Sequence, residues 1–413
     1  MLRAGVGIFY DRFPYNLTLQ QERLNGTIQQ QYTFASPNFY LDANGQAPPL
    51  SELLGTEQSG AVAPTIYRPN PNLRTPYTMQ VGLSLERQLT KNADIAVTYL
   101  TSHGVHQFFT ENINPPVCAS LPCDPAANPR LLGSPDNIYQ YQSEGIFKQH
   151  QLIVNTSLRM GSKLSLFGYY TLNYANSNTS GASSFPSASN DIRLDYGRAA
   201  FDVRHRVFIG GTIGLPHAFR LSPFLVASSG IPFTITTGQD VNGDSIFNDR
   251  PGFATSHSIP SNVATNQFGS FDLVPQPGET LVPINGWTSA GRFSLNLRVS
   301  KSFGFGQKAE ASGSAPGPGG PGAGGTFGRG PGGGRRGGPG GRGMGGPDGG
   351  STGHRYSLTF SASARNIFNN VNLATPIGNL SSPLFGQSNA LAGGPFSSST
   401  ANRRLDLQMS FNF

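Results

Sequence analysis

The sequence has few charged residues, hardly any cysteine or tryptophan, and no long apolar run. Charged residues make up 12% of its 413 residues, about half the usual ~25%. This argues against a helix-rich cytosolic enzyme and against a coiled coil. No run of 18 or more apolar residues is present, which excludes a membrane-spanning helix. A membrane protein built from strands is still compatible with the sequence, because barrel strands are short and half polar.

The two cysteines and the first residues bear on the cellular compartment. Cys118 and Cys123 lie in the Pro-rich stretch CASLPC. This spacing favours a small disulfide-closed loop in an oxidising compartment; two free thiols are the alternative, and a lone pair does not establish a metal site. The N-terminal MLRAGVGIFYDRF has no apolar signal core and no cleavage site. Because it begins abruptly inside a strand-like segment, we expect a fragment or a truncated reading frame.

Alternation of apolar and polar residues recurs along the chain. In 77–86, YTMQVGLSLE, every second residue from Tyr77 to Leu85 is apolar and those between are polar or glycine, which predicts a strand with one apolar face. We count ten such strands, the first at 3–11. Short connections fall at 90–92, 161–163 and 216–219, and long ones at 12–74, 104–146, 177–202, 237–290 and 366–402. Every long connection follows an odd strand, so an antiparallel meander brings them to one end.

These strands predict an all-β fold, the portion of an antiparallel transmembrane β-barrel with about ten strands, long extracellular loops and short periplasmic turns. The alternative is a soluble β-sandwich, which also alternates. Three features favour the barrel: polar faces rich in Ser, Thr, Asn, Gln and Arg, aromatic residues near strand ends, and five long loops that we expect to be structureless. The predicted parts are strands one to eight at 1–303, a flexible periplasmic insertion at 304–353, and the last two strands at 354–413.

Several stretches resemble the C-terminal barrel of TonB-dependent outer-membrane receptors, specifically the Oar-like, carboxypeptidase-regulatory-domain group. They are RAGVGIFYDR, TPYTMQVGLSLERQL, DYGRAAFDVRHRVFIGG, SGIPFTITTGQDVNGDSIFNDRP, ARNIFNNVN and the terminal LDLQMSFNF. The resemblance implies a barrel of about 22 strands filled by an N-terminal plug, and a TonB box; this sequence contains neither plug nor box. It also implies that the C-terminal aromatic Phe413 resembles the signal read by the outer-membrane assembly machinery.

The resemblance therefore indicates uptake of a scarce, unidentified solute across the outer membrane. The partners would be membrane lipid, the assembly machinery and, through a missing N-terminal region, the TonB system. The alternative is a structural or adhesive outer-membrane protein with surface-binding loops. No phosphate loop, paired histidines or serine elbow is present, so we expect no enzyme.

The segment DVNGDSIFND resembles half of a calcium loop. Asp240, Asn242, Asp244 and Asn248 occupy positions 1, 3, 5 and 9, and oxygen ligands of this kind suit calcium. Ser245 and Pro251 replace the usual Gly and Glu. A polar turn held by Asx hydrogen bonds is the alternative reading, and we favour it. Calcium is the one cofactor that the sequence suggests.

Charge in the Gly-rich insertion and on the polar faces points to different partners. The stretch GRGPGGGRRGGPGGRG resembles a nucleic-acid-binding tract, but it has few interleaved aromatics, so we interpret it as a flexible linker and expect no nucleic acid. The polar faces carry more cations than anions, which favours neutral or anionic solutes. The luminal arginines are Arg159, Arg204, Arg206, Arg292, Arg298, Arg365 and Arg404, against the acids Glu86, Asp94 and Asp406.

Overall fold

The computed structural model describes residues 1–29, 31–32, 64–161, 163–189, 191–308, 354–393 and 401–413. Within these residues the chain forms one α-helix, α1 (Tyr15–Arg23), and a series of strands. The strands are β1 (Leu2–Tyr10), β2 (Gln31–Tyr32), β3 (Pro64–Pro69), β4 (Tyr77–Thr90), β5 (Ala93–Asn112), β6 (Asn137–Met160), β7 (Leu164–Ser177), β8 (Gly197–Arg198), β9 (His205–Gly214), β10 (Phe219–Ser228), β11 (Pro232–Phe233), β12 (Gly252–Phe253), β13 (Val263–Asn266), β14 (Gly269–Asp272), β15 (Trp287–Thr288), β16 (Arg292–Lys308), β17 (His354–Arg365) and β18 (Arg404–Asn412).

Ten strands form an antiparallel meander in the order β1-β4-β5-β6-β7-β9-β10-β16-β17-β18. The predicted all-β class and its ten strands are confirmed. Within the described part of the chain, β1 and β18 end this order and no ladder joins them. No helix among the described residues is long and apolar enough to cross a membrane.

Cross-strand partners carry the alternation across the whole sheet. Val6 lies opposite Val81, and Ala362 lies opposite both Val299 and Leu407. Residues directly opposite each other share a face, so the register gathers the apolar residues on one side. Leu407 is 87% exposed and Val6 is 80% exposed. An apolar face with many exposed side chains is suited to contact lipid.

The connections follow the predicted pattern with four corrections. The turns at 91–92, 161–163 and 215–218 are short, as expected. The loop expected at 104–146 shrinks to 113–136, because β5 and β6 stay paired beyond two irregularities between Gly104 and Phe109 that break the period of two. β10 ends at Ser228 rather than near 236, and β16 runs to Lys308, past the boundary expected at 303. The rest of the Gly-rich insertion, 309–353, lies outside the described residues.

The fourth correction concerns the long loops, which carry structure of their own. The described parts of these long loops are called here the loop layer, which comprises 113–136, 178–189, 191–204, 229–291 and 366–393. Within it β11 pairs with β15, and β12, β14 and β13 form a small sheet. A cluster of Phe233, Ile235, Phe271 and Val282 is buried there. These loops fold because they contain enough apolar residues to bury a core of their own.

The first long connection is anchored to the meander as well. Its helix α1 buries Leu17 against Tyr67, Tyr139 and Tyr141. The Tyr139 and Tyr67 rings meet edge to face at 5.3 Å, a favourable aromatic geometry. β3 pairs in parallel with the beginning of β6. The chain between β1 and β4 is therefore held against the extended part of β6.

Candidate functional site

The polar face of the meander lines the inside in a barrel and is called here the inner wall. Its side chains bond to one another across strands: Ser84 Oγ lies 2.8 Å from Thr98 Oγ1, and Ser302 Oγ lies 2.8 Å from Thr359 Oγ1. Gln149 donates to Asn173 Oδ1 at 2.6 Å. Such a wall offers hydroxyl and amide groups to water and to polar solutes.

Apart from Arg204, the arginines assigned to the inside fall on this wall. Arg159 lies opposite Ser165, and Arg292 lies opposite Ser228. Ser363 lies opposite both Arg298 and Asp406. Arg365, two residues further along the same strand, lies opposite Arg404. Their role along a solute path stays a prediction.

Several of these charges are already neutralised within the wall. Arg365 Nε lies 3.1 Å from Asp406 Oδ2, and Arg404 Nε lies 3.4 Å from Asp406 Oδ1. At the short-turn end, Arg3 pairs with Glu86 at 3.2 Å. Arg3 is a charge of this wall that was not predicted from the sequence. Exposed pairs of this kind contribute little stability, and their main effect is on the field inside the wall.

Arg204 does not take the luminal position expected from the sequence. Its guanidinium carbon lies 3.9 Å above the centroid of the Tyr174 ring, and Tyr174 belongs to the apolar face together with its partner His150. The guanidinium also pairs with the buried Asp202 at 3.1 Å. Arg204 lies just before β9, where the alternation no longer fixes its direction, so stacking on Tyr174 decides its position.

An aromatic group on the inner wall was missed by the sequence reading. Four aromatic residues share the polar face. Phe167 lies opposite Ser157 and Tyr169 opposite Asn155, Phe224 lies opposite Asn296, and Phe208 lies opposite Tyr169. These four residues are called here the aromatic patch. Phe167 and Tyr169 are 45% and 42% exposed. The signal was present in the sequence, because both rings fall out of phase with the leucines of LSLFGYYTLNY.

The proposed calcium residues lie in the loop layer and are largely used by internal bonds. Asp244 is fully buried and its Oδ2 accepts from Ser189 Oγ and from Asn242 Nδ2. Asp240 Oδ2 accepts from the Ser245 amide at 2.8 Å. Bonds of the Asx type are also present, because the Asp244 amide donates to Asn242 Oδ1 and the Ile246 amide donates to Asp244 Oδ1.

Burial makes the carboxyl groups of this turn costly to ionise. Desolvation, with repulsion from the neighbouring carboxylates, raises the pKa of Asp244 to about 7 and the pKa of Asp249 to about 7. Asp240 Oδ1 and Asn248 Oδ1 are buried without a hydrogen-bond partner. Among the described residues, however, no group of three His, Cys, Asp or Glu side chains is placed to hold a metal ion. Calcium binding here stays a prediction.

Cys118 and Cys123 are joined by a disulfide. The Cys123 amide donates to the Val241 carbonyl at 2.8 Å. The small disulfide loop is thereby attached to the Asp240 turn. Two separate long connections thus meet in the loop layer.

Phe413 lies on the apolar face at the short-turn end and is 92% exposed. Its ring is 6.1 Å from the Phe411 ring, which in turn stacks with Tyr356 at 6.1 Å and Phe305 at 5.9 Å. This row of rings is typical of an aromatic girdle at a membrane interface. Recognition of Phe413 as an assembly signal stays a prediction.

Comparison with known proteins agrees with this fold. The family model described as outer membrane beta barrel domain matches residues 1–312. The chain therefore belongs to this family, and it is a protein of the cell outer membrane. No curated protein matches the chain.

Two solved structures show weak likeness. The outer membrane transporter YddB from Escherichia coli is 11% identical, with 84% of this chain and 33% of that chain covered and a TM-score of 0.39. The FrpB iron transporter from Neisseria meningitidis is 8% identical, with 84% and 32% covered and a TM-score of 0.38. The chain thus spans about a third of the length of these transporters. Likeness at this level carries no statement about substrate.

Proposed function

We propose that this chain forms the C-terminal barrel part of a TonB-dependent outer-membrane transporter of the Oar-like group, which takes up a scarce solute. In this proposal the loop layer captures the solute and the inner wall lines its path. Energy arrives through the TonB system, which contacts a region of the polypeptide outside this chain. The chain itself supplies no catalytic chemistry.

The observation that carries the proposal is the pairing of a polar inner wall with an ordered loop layer at one end of it. The wall carries bonded hydroxyls and amides such as those of Ser84, Thr98 and Asn173. The loop layer is joined across separate connections, for example by the Thr236 amide, which donates to the Gly378 carbonyl at 2.9 Å. A folded layer over a polar interior suits selective capture of a solute better than open diffusion.

The test is depletion of solutes from a defined medium. Cells with the gene for the full polypeptide and cells lacking it are compared by mass spectrometry of the medium, with and without a protonophore. We expect at least one solute to be depleted only by energised cells that carry the gene. Identical depletion by both strains would overturn the proposal.

The adhesive alternative gives a different result in the same strains. Loops that bind surfaces would change attachment of cells to a solid support without changing solute depletion. Attachment that requires the loop layer, together with unchanged depletion, would favour adhesion over transport.

A further inference from the structure

Two arginines flank a serine on three adjacent strands of the inner wall. Arg206 on β9 lies opposite Ser228 on β10, and Ser228 lies opposite Arg292 on β16. Directly opposite side chains are neighbours on one face, so the three form a single row at the loop end of the wall. This row was not visible in the sequence. The two arginines lie on strands that are far apart in the chain, and they meet only because β10 pairs with both β9 and β16.

Both arginines of this row keep cationic groups without a carboxylate partner. Arg206 is exposed, and its side chain has no hydrogen bond or ion pair to any described residue. Arg292 donates from Nε to the Leu373 carbonyl at 3.1 Å, and no described acid pairs with it. The nearby Asp202 is already occupied by Arg198 at 3.0 Å and by Arg204. The row therefore presents two positive charges with free guanidinium donors.

The aromatic patch begins one row further along β9 and extends onto the neighbouring strand β7. Tyr169 lies opposite Phe208, which is two residues beyond Arg206. Phe208 stacks with Tyr169 at a ring distance of 5.4 Å and meets Phe224 edge to face at 5.1 Å. Two residues of strand correspond to roughly 6.8 Å, so the cations and the rings are separated by about the length of one aromatic ring system.

A glycine keeps the centre of the patch open. Gly210 lies opposite both Phe167 and Phe224. A Cβ at this position would come within 3.2 Å of the Phe167 ring and 3.3 Å of the Phe208 ring, tighter than ordinary contact. Any larger side chain would occupy the space between the rings.

We propose that the row Arg206–Ser228–Arg292 and the aromatic patch form one subsite for an aromatic carboxylate. The carboxylate lies between the two guanidinium groups, which match its planar geometry. The aromatic body lies against Tyr169 and Phe208. The subsite rests on the proposed function in one respect: a solute must reach the inner wall.

The test measures binding rather than transport. The full polypeptide is placed in lipid nanodiscs, and 2-naphthoate binding is measured by equilibrium dialysis, with empty nanodiscs as the baseline. The matched cation 2-naphthylmethylammonium is measured in parallel. We expect naphthoate to bind and the cation to bind at least about tenfold more weakly, because charge-assisted bonds and repulsion act in opposite directions.

Variants separate the two halves of the subsite. Arg206→Gln and Arg292→Gln are each expected to weaken naphthoate binding about tenfold, and Arg206→Lys to retain part of it. Phe208→Leu should weaken naphthoate several-fold while leaving acetate binding unchanged. Arg365→Gln is the matched control, because that arginine lies on the same wall but pairs with Asp406.

Three results would overturn the subsite: no binding above empty nanodiscs, equal binding of the two probes, or wild-type affinity in both arginine-to-glutamine variants. Heat-modifiable migration in gels confirms that each variant is folded. Naphthoate binding without any energised solute depletion would sustain the subsite and count against transport. Energised solute depletion without naphthoate binding would support transport and overturn the subsite.

Discussion

Arg250 Nη2 lies 2.9 Å from Asp195 Oδ1, and both side chains are only 4% exposed. The two residues belong to different long connections, so this buried ion pair fastens one part of the loop layer to another. Arg250 also donates to the Val282 and Leu194 carbonyls, and Asp195 accepts from the Ser187 amide at 2.7 Å. A charge pair taken out of water is tolerated only when its remaining bonds are satisfied in this way.

Replacing one member of this pair should loosen the loop layer. Arg250→Ala leaves the Asp195 carboxylate buried and uncompensated, so we expect a local loss of about 3–5 kcal/mol. Limited proteolysis and hydrogen exchange of 229–291 measure the effect.

The matched control is Arg193→Ala, which removes an exposed pair with Asp191 and should leave the cleavage pattern unchanged. The double variant Asp195→Leu with Arg250→Met should recover most of the protection, because it leaves no unpaired charge. Equal protection of the wild type and Arg250→Ala would show that the pair does not fasten the layer.

The second prediction concerns sidedness. Epitope tags inserted after Ala126 or after Ser256 lie in exposed parts of long connections. Both connections lie at the end of the meander opposite the short turns, so the tags should bind antibody on intact cells of the full-length protein. A tag after Gly333, in the insertion outside the described residues, should bind only after the outer membrane is permeabilised. The reverse labelling would contradict the assignment of loops and turns to the two sides.

The third prediction concerns the last residue. Phe413→Asp should reduce the amount of membrane-inserted protein strongly, because Phe413 shares the apolar face with Leu407 and Phe411 and a charge there meets the membrane or its interface. Asn412→Asp, on the polar face, is the control. Membrane fractions probed by heat-modifiable migration give the inserted yield, and similar yields for the two variants would remove any special role of Phe413.

The fourth prediction concerns calcium at the Asp240 turn. If the buried carboxylates bind the ion, about 1 mM calcium, a concentration suited to extracellular sites, should slow proteolysis within 237–250. The effect should disappear in Asp240→Asn and persist in Asp124→Asn, an exposed acid of the neighbouring loop. A cleavage rate that is independent of calcium in the wild type would leave Asx bonding as the whole account of this turn.

The sequence by itself determined the meander. Alternation such as that of 77–86 specifies which side chains share the apolar face of a strand. A slip by one residue would place every apolar side chain on the wrong side. The ten strands and the short turns could therefore be predicted from the sequence. It could not determine where β5 and β6 end, because irregular pairing between Gly104 and Phe109 abolishes the period of two on which the prediction depends.

Only the tertiary structure decided how residues from distant strands meet. Arg206 and Arg292 share a row because β10 pairs with both β9 and β16, and no pattern within one strand records its neighbour's register. The same holds for Arg204, which lies outside the strands and is positioned by its contact with Tyr174 of β7. It also holds for Asp195 and Arg250, which come from different loops. Alternation is a local property of the chain, whereas rows and loop contacts depend on strand pairing, which joins residues far apart in sequence.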